Sequence, residues 1–333
     1  MADLRYDILG VGNAIVDVIA PCDDAFLTDN GIEKGGMTLI DEDRARDLYS
    51  KMAPGREVSG GSAANTLAGV ASLGGRGAYV GKVADDALGE IFTHDLNAAG
   101  VDYATLPLKF GPATARCLIN VTPDAQRSMC TFLGASVFFS EDDVDAEKIA
   151  AANITFMEGY LFDRDDAKRA FVRASELAEA AGRRTALTLS DTFCVDRHRS
   201  SFRHLVRNHI DILMANEAEL KSLFETEDFE EALSRARAET KVTAVTRSEK
   251  GAVIVRGEET AEVPAEKVEK VVDTTGAGDL FASGFLLGMA RDLPLADCGR
   301  LGVIAAGEVI SHFGARPETK LADLAASKNA RLD

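Results

Sequence analysis

Residues 276–278 read Gly-Ala-Gly and stand directly before Asp279. The apolar spacing from Leu280 to Met289 predicts that a helix begins here. The first turn of a helix has backbone N–H groups without partners inside the helix, and small side chains leave these groups open. Because the helix dipole adds positive character at the same end, the segment predicts an anion-binding site.

Asp279 is unexpected at such a place, because a bound anion repels a carboxylate. The carboxylate has a use if it takes the proton of a hydroxyl group that attacks a phosphoryl group. The two features together predict phosphoryl transfer. The alternative is a helix whose glycines serve close packing and whose first-turn aspartate stabilises the helix dipole.

Two further segments could hold hydroxyl groups. Asn13 and Asp17 follow the first predicted strand, and a carboxylate paired with an amide suits two neighbouring hydroxyls. Gly60 and Gly61 precede a predicted helix that carries Asn65 in its first turns. A glycine turn with a solvent-facing asparagine explains these residues equally well, so both interpretations stay open.

The elements that must position these residues alternate along the chain. Short β-branched runs are followed by longer helical patterns, which predicts an α/β fold with a mostly parallel central sheet and helices on both faces. Ligands of such sheets bind beyond the carboxyl ends of the strands. Residues 14–41 and 103–134 break the pattern, and we predict that they pair as a small antiparallel sheet. This sheet would form a lid within a single domain spanning residues 1–333.

Bulk properties exclude several classes of partner. The formal net charge of −17 disfavours binding to nucleic acid or to an anionic membrane surface. Five scattered cysteines without a C-x-x-C pair predict reduced thiols. We read no basic leader and no uninterrupted apolar stretch of about 20 residues, the length that crosses a bilayer. These observations predict a cytoplasmic protein whose anionic ligand is met by local positive groups.

Familiar nucleotide and hydrolase motifs fail on inspection. Ile15 stands where a dinucleotide fingerprint beginning at Gly10 and Gly12 needs its third glycine. Arg76 and Val83 occupy positions where a Walker A loop needs glycine and a hydroxyl residue. The sequence has neither H-E-x-x-H nor G-x-S-x-G. A nicotinamide enzyme, a P-loop protein and a hydrolase are therefore all disfavoured.

Two longer segments carry a resemblance to a known family. SGGSAANTLAGVASLG, which begins at Ser59, and DTTGAGDLFASGFL, which begins at Asp273, resemble the two signatures of the ribokinase-like, or pfkB, carbohydrate and nucleoside kinases. The similarity extends from Tyr6 to Arg316, and its one departure is Ala84, where the family usually has glycine. It implies a ribokinase-like three-layer sandwich with a small β lid, and phosphorylation of a primary hydroxyl by ATP.

The resemblance also implies roles for the residues above. Asp279 would be the catalytic base, and the amides of Gly276, Ala277 and Gly278 would hold the transferring phosphoryl group. The residues implied to grip sugar hydroxyls are Asn13, Asp17, Gly60, Gly61 and Asn65.

The nucleotide and its metal would lie beside a second set of residues. Asn216 and Glu219 match the family's N-x-x-E motif, which organises Mg²⁺ and the phosphates through water. A helix-capping pair is the alternative interpretation of these two residues. Thr246 and Gly251 would lie along the ATP site.

Two cationic groups are expected near the phosphates. Asp273 and Thr275 resemble the family's ligands for a monovalent cation, usually K⁺. Arg127, in the predicted lid, could supply positive charge to the triphosphate, and a solvated surface arginine is the alternative.

The N-terminal third is similar in layout to the adenosine-phosphorylating branch of the family, which implies a nucleoside acceptor. The residues that would form apolar walls around a purine are Met37, Leu39, Met129, Leu133 and Leu161. The alternative acceptor is a free sugar such as ribose or fructose, which would need more polar groups at these positions. We expect either a monomer or a homodimer formed through the lid.

Overall fold

The computed structural model describes residues 3–124 and 126–332, in which strands and helices alternate along the chain. The strands are β1 (Tyr6–Val11), β2 (Ile15–Pro21), β3 (Met37–Leu39), β4 (Arg56–Gly60), β5 (Gly77–Val80), β6 (Val101–Tyr103), β7 (Ala115–Val121), β8 (Arg127–Phe132), β9 (Ala152–Glu158), β10 (Arg184–Thr188), β11 (Ile212–Asn216), β12 (Val242–Thr246), β13 (Ala252–Arg256) and β14 (Glu259–Val263). The α-helices are α1 (Asp24–Asp29), α2 (Glu42–Lys51), α3 (Ser62–Ser72), α4 (Ala87–Ala98), α5 (Ala146–Ala150), α6 (Asp165–Ala180), α7 (Thr192–His209), α8 (Glu217–Phe224), α9 (Phe229–Glu239), α10 (Ala277–Ala290), α11 (Leu295–Val309) and α12 (Leu321–Ser327). Short 3-10 helices span Gly134–Phe138, Glu141–Asp143, Gly159–Asp163 and Ser248–Lys250.

The larger sheet has nine strands in the described residues, in the order β14-β13-β12-β11-β10-β9-β1-β5-β6. The strands from β12 to β6 pair in parallel, and β13 and β14 extend the sheet as an antiparallel hairpin. Ile8 and Leu9 of β1 belong to the hydrophobic clusters on opposite faces, as the alternation of strand side chains requires. Helices α3, α10 and α11 cover one face and α6 to α9 the other. The predicted three-layer α/β architecture is confirmed.

The smaller sheet has the strand order β3-β8-β7-β2-β4. It differs from the prediction in two ways. Strand β4 belongs to it although residues 56–60 lie outside the predicted ranges. Two of its four pairings, β2 with β7 and β3 with β8, are parallel rather than antiparallel. An alternating pattern is the same for both kinds of pairing, so the sequence could not distinguish them.

The two sheets meet where β1 passes into β2 through residues 12–14. Along β2 and β8, the side chains of Asp17, Arg127 and Met129 share one face of the smaller sheet, because they are separated by even register steps. This face also carries Met37, the register partner of Met129. The geometry places these residues close to the carboxyl ends of the larger sheet.

Some bulk predictions can be compared with the structure directly. No helix in residues 3–124 and 126–332 combines the length and apolar character needed to cross a bilayer. All five cysteines are free thiols, and Cys22 alone among them is not fully buried.

Candidate active site

The turn that begins α10 contains two glycines, and the reason for a glycine differs between the two positions. Gly276 is the N-cap residue and has a left-handed φ of +78°. A Cβ atom there would also lie 2.8 Å from Ala315, so the turn requires glycine. At Gly278 an added Cβ atom would meet nothing within 4 Å. The space in front of Gly278 is therefore open to a ligand.

The backbone amides of this turn are partly free. The N–H groups of Gly276 and Gly278 have no hydrogen-bond partner among the described residues, whereas Ala277 donates to the Thr274 carbonyl at 3.2 Å. The prediction that all three amides point outward therefore needs correction for Ala277, because the turn uses its N–H group. Two open amides at a helix N-terminus still provide a site suited to an anion.

Asp279 lies half-buried in the first turn of α10 and is held by helix α3. Its Oδ1 accepts from Ser62 Oγ at 2.6 Å, and its Oδ2 accepts from Asn65 Nδ2 at 3.0 Å. Burial raises the pKa of Asp279, and these hydrogen bonds together with the charge of Arg316 oppose the rise. A carboxylate with a raised pKa is a stronger general base than an exposed one.

An inner cavity of about 490 Å³ opens between the start of α10 and the carboxyl ends of β9 to β12. The predicted site residues that line it are Met129, Asn216, Glu219, Thr246, Thr275, Gly276, Ala277, Gly278 and Asp279. The lining residues that sequence reasoning missed include Ser62, Tyr160, Thr188, Ser190, Met214 and Phe281.

Tyr160, Thr188 and Ser190 follow directly from the carboxyl ends of β9 and β10. The rule that places ligands beyond parallel strands could therefore have found them. Ser190 also has a positive φ of 73°, a conformation that costs a non-glycine residue free energy and clusters at functional sites. Its Oγ accepts a hydrogen bond from the backbone amide of Tyr160 at 3.2 Å, which fixes the backbone position of Tyr160.

An outer cavity of about 980 Å³ adjoins the inner one and shares Asn216 and Thr246 with it. Its lining includes the cationic side chains of Arg199, Lys221, Arg247 and Lys250, together with several carboxylates. Arg199, Lys221 and Arg247 pair with carboxylates of the same lining, so most of this positive charge is already balanced within the protein.

Gly251 does not line either cavity. Its φ is +88°, and a Cβ atom there would lie 2.0 Å from the Val263 carbonyl. Gly251 is therefore required by the turn between β12 and β13. Its predicted place along a nucleotide site is not supported by a cavity contact.

Asn216 and Glu219 form the helix-capping pair that was the alternative interpretation. Asn216 Oδ1 accepts from the Glu219 amide at 2.9 Å, and Glu219 Oε2 accepts from the Asn216 amide at 3.0 Å. Burial raises the pKa of Glu219 to about 7. Both residues nevertheless line the inner cavity, so the cap and a ligand contact are compatible.

The residues predicted to grip hydroxyls cluster where the two sheets meet. An added Cβ atom on Gly60 would lie 2.5 Å from the Asp17 carboxylate, and one on Gly61 would lie 2.3 Å from the Asn13 carbonyl. Close approach therefore explains both glycines. Burial raises the pKa of Asp17 to about 6, and Arg316 and Arg127 oppose this rise.

The side-chain amides of Asn13 and Asn65 differ in how many hydrogen bonds they form within the protein. Asn13 is buried and donates to Glu158 Oε1 at 3.2 Å, while its Oδ1 has no partner among the described residues. Asn65 is engaged at both ends, donating to Asp279 and accepting from Arg316. The alternative interpretation of a solvent-facing asparagine is wrong for Asn65, because this residue is buried by neighbouring elements, and Asn13 is buried as well.

Arg127 reaches from the smaller sheet to the loop before α10. Its Nη1 lies 2.8 Å from Asp273 Oδ2 and 3.0 Å from Thr275 Oγ1. Its Nε is buried without a partner in the described residues. The alternative of a solvated surface arginine is wrong, since only 9% of this side chain is exposed.

The apolar residues predicted as a purine wall separate into three groups. Met129 lines the inner cavity, and Leu133 is half-buried after β8. Met37 and Leu39 are 48% and 46% exposed on the edge strand β3. Leu161 is wrong as a wall residue, because it is 3% exposed and packs in the core cluster beneath the sheet. The adjacent Tyr160 lines the cavity in its place.

Comparison with known proteins identifies the family of this chain. A family model described as pfkB family carbohydrate kinase matches residues 37–321, which is most of the chain. The chain belongs to the pfkB family of carbohydrate kinases. The predicted enzyme class, a phosphotransferase with an alcohol acceptor, is confirmed by this membership.

Individual pfkB-family proteins are similar over nearly the whole chain. A crystal structure of adenosine kinase from Sinorhizobium meliloti is 54% identical, with a TM-score of 0.90, and the match covers 98% of this chain and 100% of that one. A probable sugar kinase protein from Rhizobium etli CFN 42 is 53% identical, with a TM-score of 0.92 and the same coverage. Adenosine kinase 2 of Arabidopsis thaliana is 26% identical over 93% of this chain and 96% of its own length. The two bacterial structures confirm the ribokinase-like fold.

Proposed function

We propose that this kinase transfers the γ-phosphoryl group of ATP to the 5′-hydroxyl of adenosine. The observation that carries the proposal is the start of α10, where Asp279 with its raised pKa stands one residue after an open glycine amide. Similarity to adenosine kinases supports the choice of acceptor.

In this mechanism the chain's own residues orient the acceptor and move one proton. Asp279 accepts the proton of the attacking hydroxyl, while Ser62 and Asn65 hold the carboxylate in one orientation. The Gly276 and Gly278 amides stabilise the negative charge of the moving phosphoryl group. Arg127, held by Asp273 and Thr275, places a positive charge beside the same loop.

Mg²⁺ is the expected companion of ATP. Asn216 and Glu219 offer amide and carboxylate oxygens of the kind Mg²⁺ prefers, and both line the inner cavity. Because each oxygen already takes part in the helix cap, these residues would hold the ion through water. Bound there, Mg²⁺ would neutralise charge on the phosphates.

Potassium fits this arrangement poorly. Asp273 Oδ1 accepts from the Thr275 amide and hydroxyl, and Oδ2 accepts from the Gly314 amide and pairs with Arg127. The charge of Asp273 is therefore already balanced by a guanidinium group.

The smaller sheet supports a nucleoside over a free sugar. Met37 and Met129 are register neighbours on the face that also carries Asp17, so an apolar surface lies beside a polar one. A nucleoside has the same division between its base and its ribose. Closure of this sheet as a lid would exclude water from the hydroxyl and Asp279.

Two wider inferences accompany the proposal. The free thiols support residence in the reducing cytoplasm. The exposed Met37 and Leu39 on edge strand β3 support a homodimer formed through the lid as one arrangement in solution, with a monomer as the other.

The test is ADP release over a panel of adenosine, inosine, guanosine, ribose and fructose, each with ATP and Mg²⁺. The expected result is the highest kcat/KM for adenosine. An active hexose beside inactive adenosine would overturn the choice of acceptor and favour the sugar-kinase alternative. Failure of every member of the panel would overturn the proposed function itself.

A further inference from the structure

Arg316 lies in the segment between α11 and α12. It is not among the predicted site residues, and the proposed mechanism gives it no role. Its Nε donates to Asn65 Oδ1 at 2.9 Å, and its Nη2 donates to the Ser59 carbonyl at 3.0 Å and to Ser59 Oγ at 3.1 Å. These contacts join the C-terminal segment to the end of β4 and to the first turn of α3, the helix that holds Asp279.

The contact with Asn65 decides which way its amide points. A guanidinium group only donates hydrogen bonds, so Asn65 must turn its oxygen toward Arg316. Its nitrogen then faces Asp279 Oδ2, to which it donates at 3.0 Å. With the opposite orientation, the amide oxygen would face a carboxylate and the hydrogen bond would be lost.

Arg316 also stands among acidic groups from several elements. Its charge acts on Asp17 of β2, Asp95 of α4 and Asp279 of α10, and Tyr79 of β5 lies close as well. Glu158 of β9 and Asp279 influence each other through their charges. Arg316 is therefore a shared counter-charge for the buried carboxylates of Asp17 and Asp279, and it opposes the rise in pKa that burial causes in both.

We infer that Arg316 is a positioning residue for catalysis, fixing the amide of Asn65 and through it the carboxylate of Asp279. The inference rests on the proposed function in one respect, that Asp279 is the base. It adds a second role, since the guanidinium charge opposes the rise that burial causes in the pKa of that base.

The pH dependence follows from the sign of the charge. A base must be ionised to accept a proton, and Arg316 lowers the pKa of Asp279 against the effect of burial. Without the guanidinium the pKa rises, so the acid limb of the kcat profile moves to higher pH. Asp17 titrates nearby under the influence of the same arginine, and burial raises the pKa of Glu158 near Asp279 to about 7, so acceptor affinity has to be measured across the same range.

The experiment compares Arg316→Met with Arg316→Lys in the full chain, using whichever acceptor of the panel the unmodified enzyme phosphorylates. Arg316→Met should lower kcat by about tenfold to a hundredfold, as loss of a supporting contact does, and move the acid limb up by about one pH unit. Arg316→Lys retains the positive charge but lacks the planar guanidinium group that donates to both Asn65 and Ser59. It should therefore keep the acid limb of the kcat profile at its original pH and retain only part of kcat. Arg256→Met, which removes an exposed arginine paired with Glu259 on the distant β13–β14 hairpin, is the matched control.

The outcomes separate the possibilities. An unchanged kcat profile in Arg316→Met, or a change confined to KM, would overturn the inference. If Arg316→Met is too unstable to assay, normal kcat in Arg316→Lys overturns the positioning role, and lowered kcat with an unmoved acid limb supports it. A failure of the proposed function appears instead in the unmodified enzyme, which would then phosphorylate nothing in the panel.

Discussion

Helices α3 and α10 face each other across the site and begin in the same way, yet their first turns are used differently. Each starts from a glycine with left-handed φ, +93° at Gly61 and +78° at Gly276. In α3 the Ala63 amide donates to Glu158 Oε2 at 2.8 Å, so the fold itself supplies the acceptor. In α10 the amides of Gly276 and Gly278 have no acceptor among the described residues.

The two helix starts also differ in the space in front of their glycines. Around Gly61 the protein fills the space completely, whereas in front of Gly278 it leaves the space empty. A glycine that the fold does not need indicates a ligand better than one that the fold requires. Four substitutions test this distinction.

Asp279→Asn should remove the proton acceptor while keeping the shape of the side chain. Because general base catalysis is lost, kcat should fall by about 10³-fold to 10⁴-fold, the upper part of the typical contribution of such a group. ADP release gives the rate, and calorimetry with adenosine gives the binding. Retained binding and an unchanged melting temperature are the expected controls, and near-normal turnover would contradict the role of Asp279.

Gly61→Ala should destabilise the fold. The new Cβ atom would lie 2.3 Å from the Asn13 carbonyl at a position with positive φ, so strain and a backbone clash add. We expect a loss of about 3 kcal/mol in the free energy of unfolding, measured in urea. A variant as stable as the unmodified protein would show that the α3 turn is not filled as described.

Glu158→Gln should change how stability depends on pH. Burial raises the pKa of Glu158 from 4.5 to about 7, so its folded state binds the proton more tightly than the unfolded state does. The stability from this group is complete below pH 4.5 and is lost as pH rises through about 7. Relative to the unmodified protein, Glu158→Gln should therefore gain up to about 3 kcal/mol between these limits.

Unfolding in urea at closely spaced pH values measures this difference. A difference that stays constant with pH, or that shrinks as pH rises, would contradict the assigned burial of Glu158.

Gly278→Ala should leave stability unchanged and lower activity. The added Cβ atom meets no protein atom within 4 Å, so the only thing it can obstruct is a ligand. We expect kcat to fall by about tenfold to a hundredfold, because a small displacement of the reacting groups is enough for that. Full activity in this variant would mean that nothing approaches the Gly278 amide during turnover.

The features of the molecule that could be predicted from the sequence are those that local patterns determine. The α/β architecture follows from alternating strand and helix patterns, and the start of α10 follows from small residues placed before an apolar helix. Asp279 stood out because its charge conflicts with the anion site formed by its own neighbours.

The remaining parts depend on contacts between residues far apart in the chain. Ser62, Glu158 and Arg316 lie near Asp279 only after the two sheets and the C-terminal segment are assembled. Leu161 was misplaced because it lies on a short 3-10 helix, where a shift of one residue turns the side chain from the cavity into the core. Strand β4 was missed because it lies outside the segments in which the alternation breaks down.

The most direct test is a crystal structure of the complex with adenosine and a non-hydrolysable ATP analogue. Our account predicts that oxygens of the terminal phosphate lie about 3 Å from the amide nitrogens of Gly276 and Gly278, with the 5′-hydroxyl beside Asp279. A terminal phosphate bound away from this turn, with Gly278 still facing empty space, would contradict it.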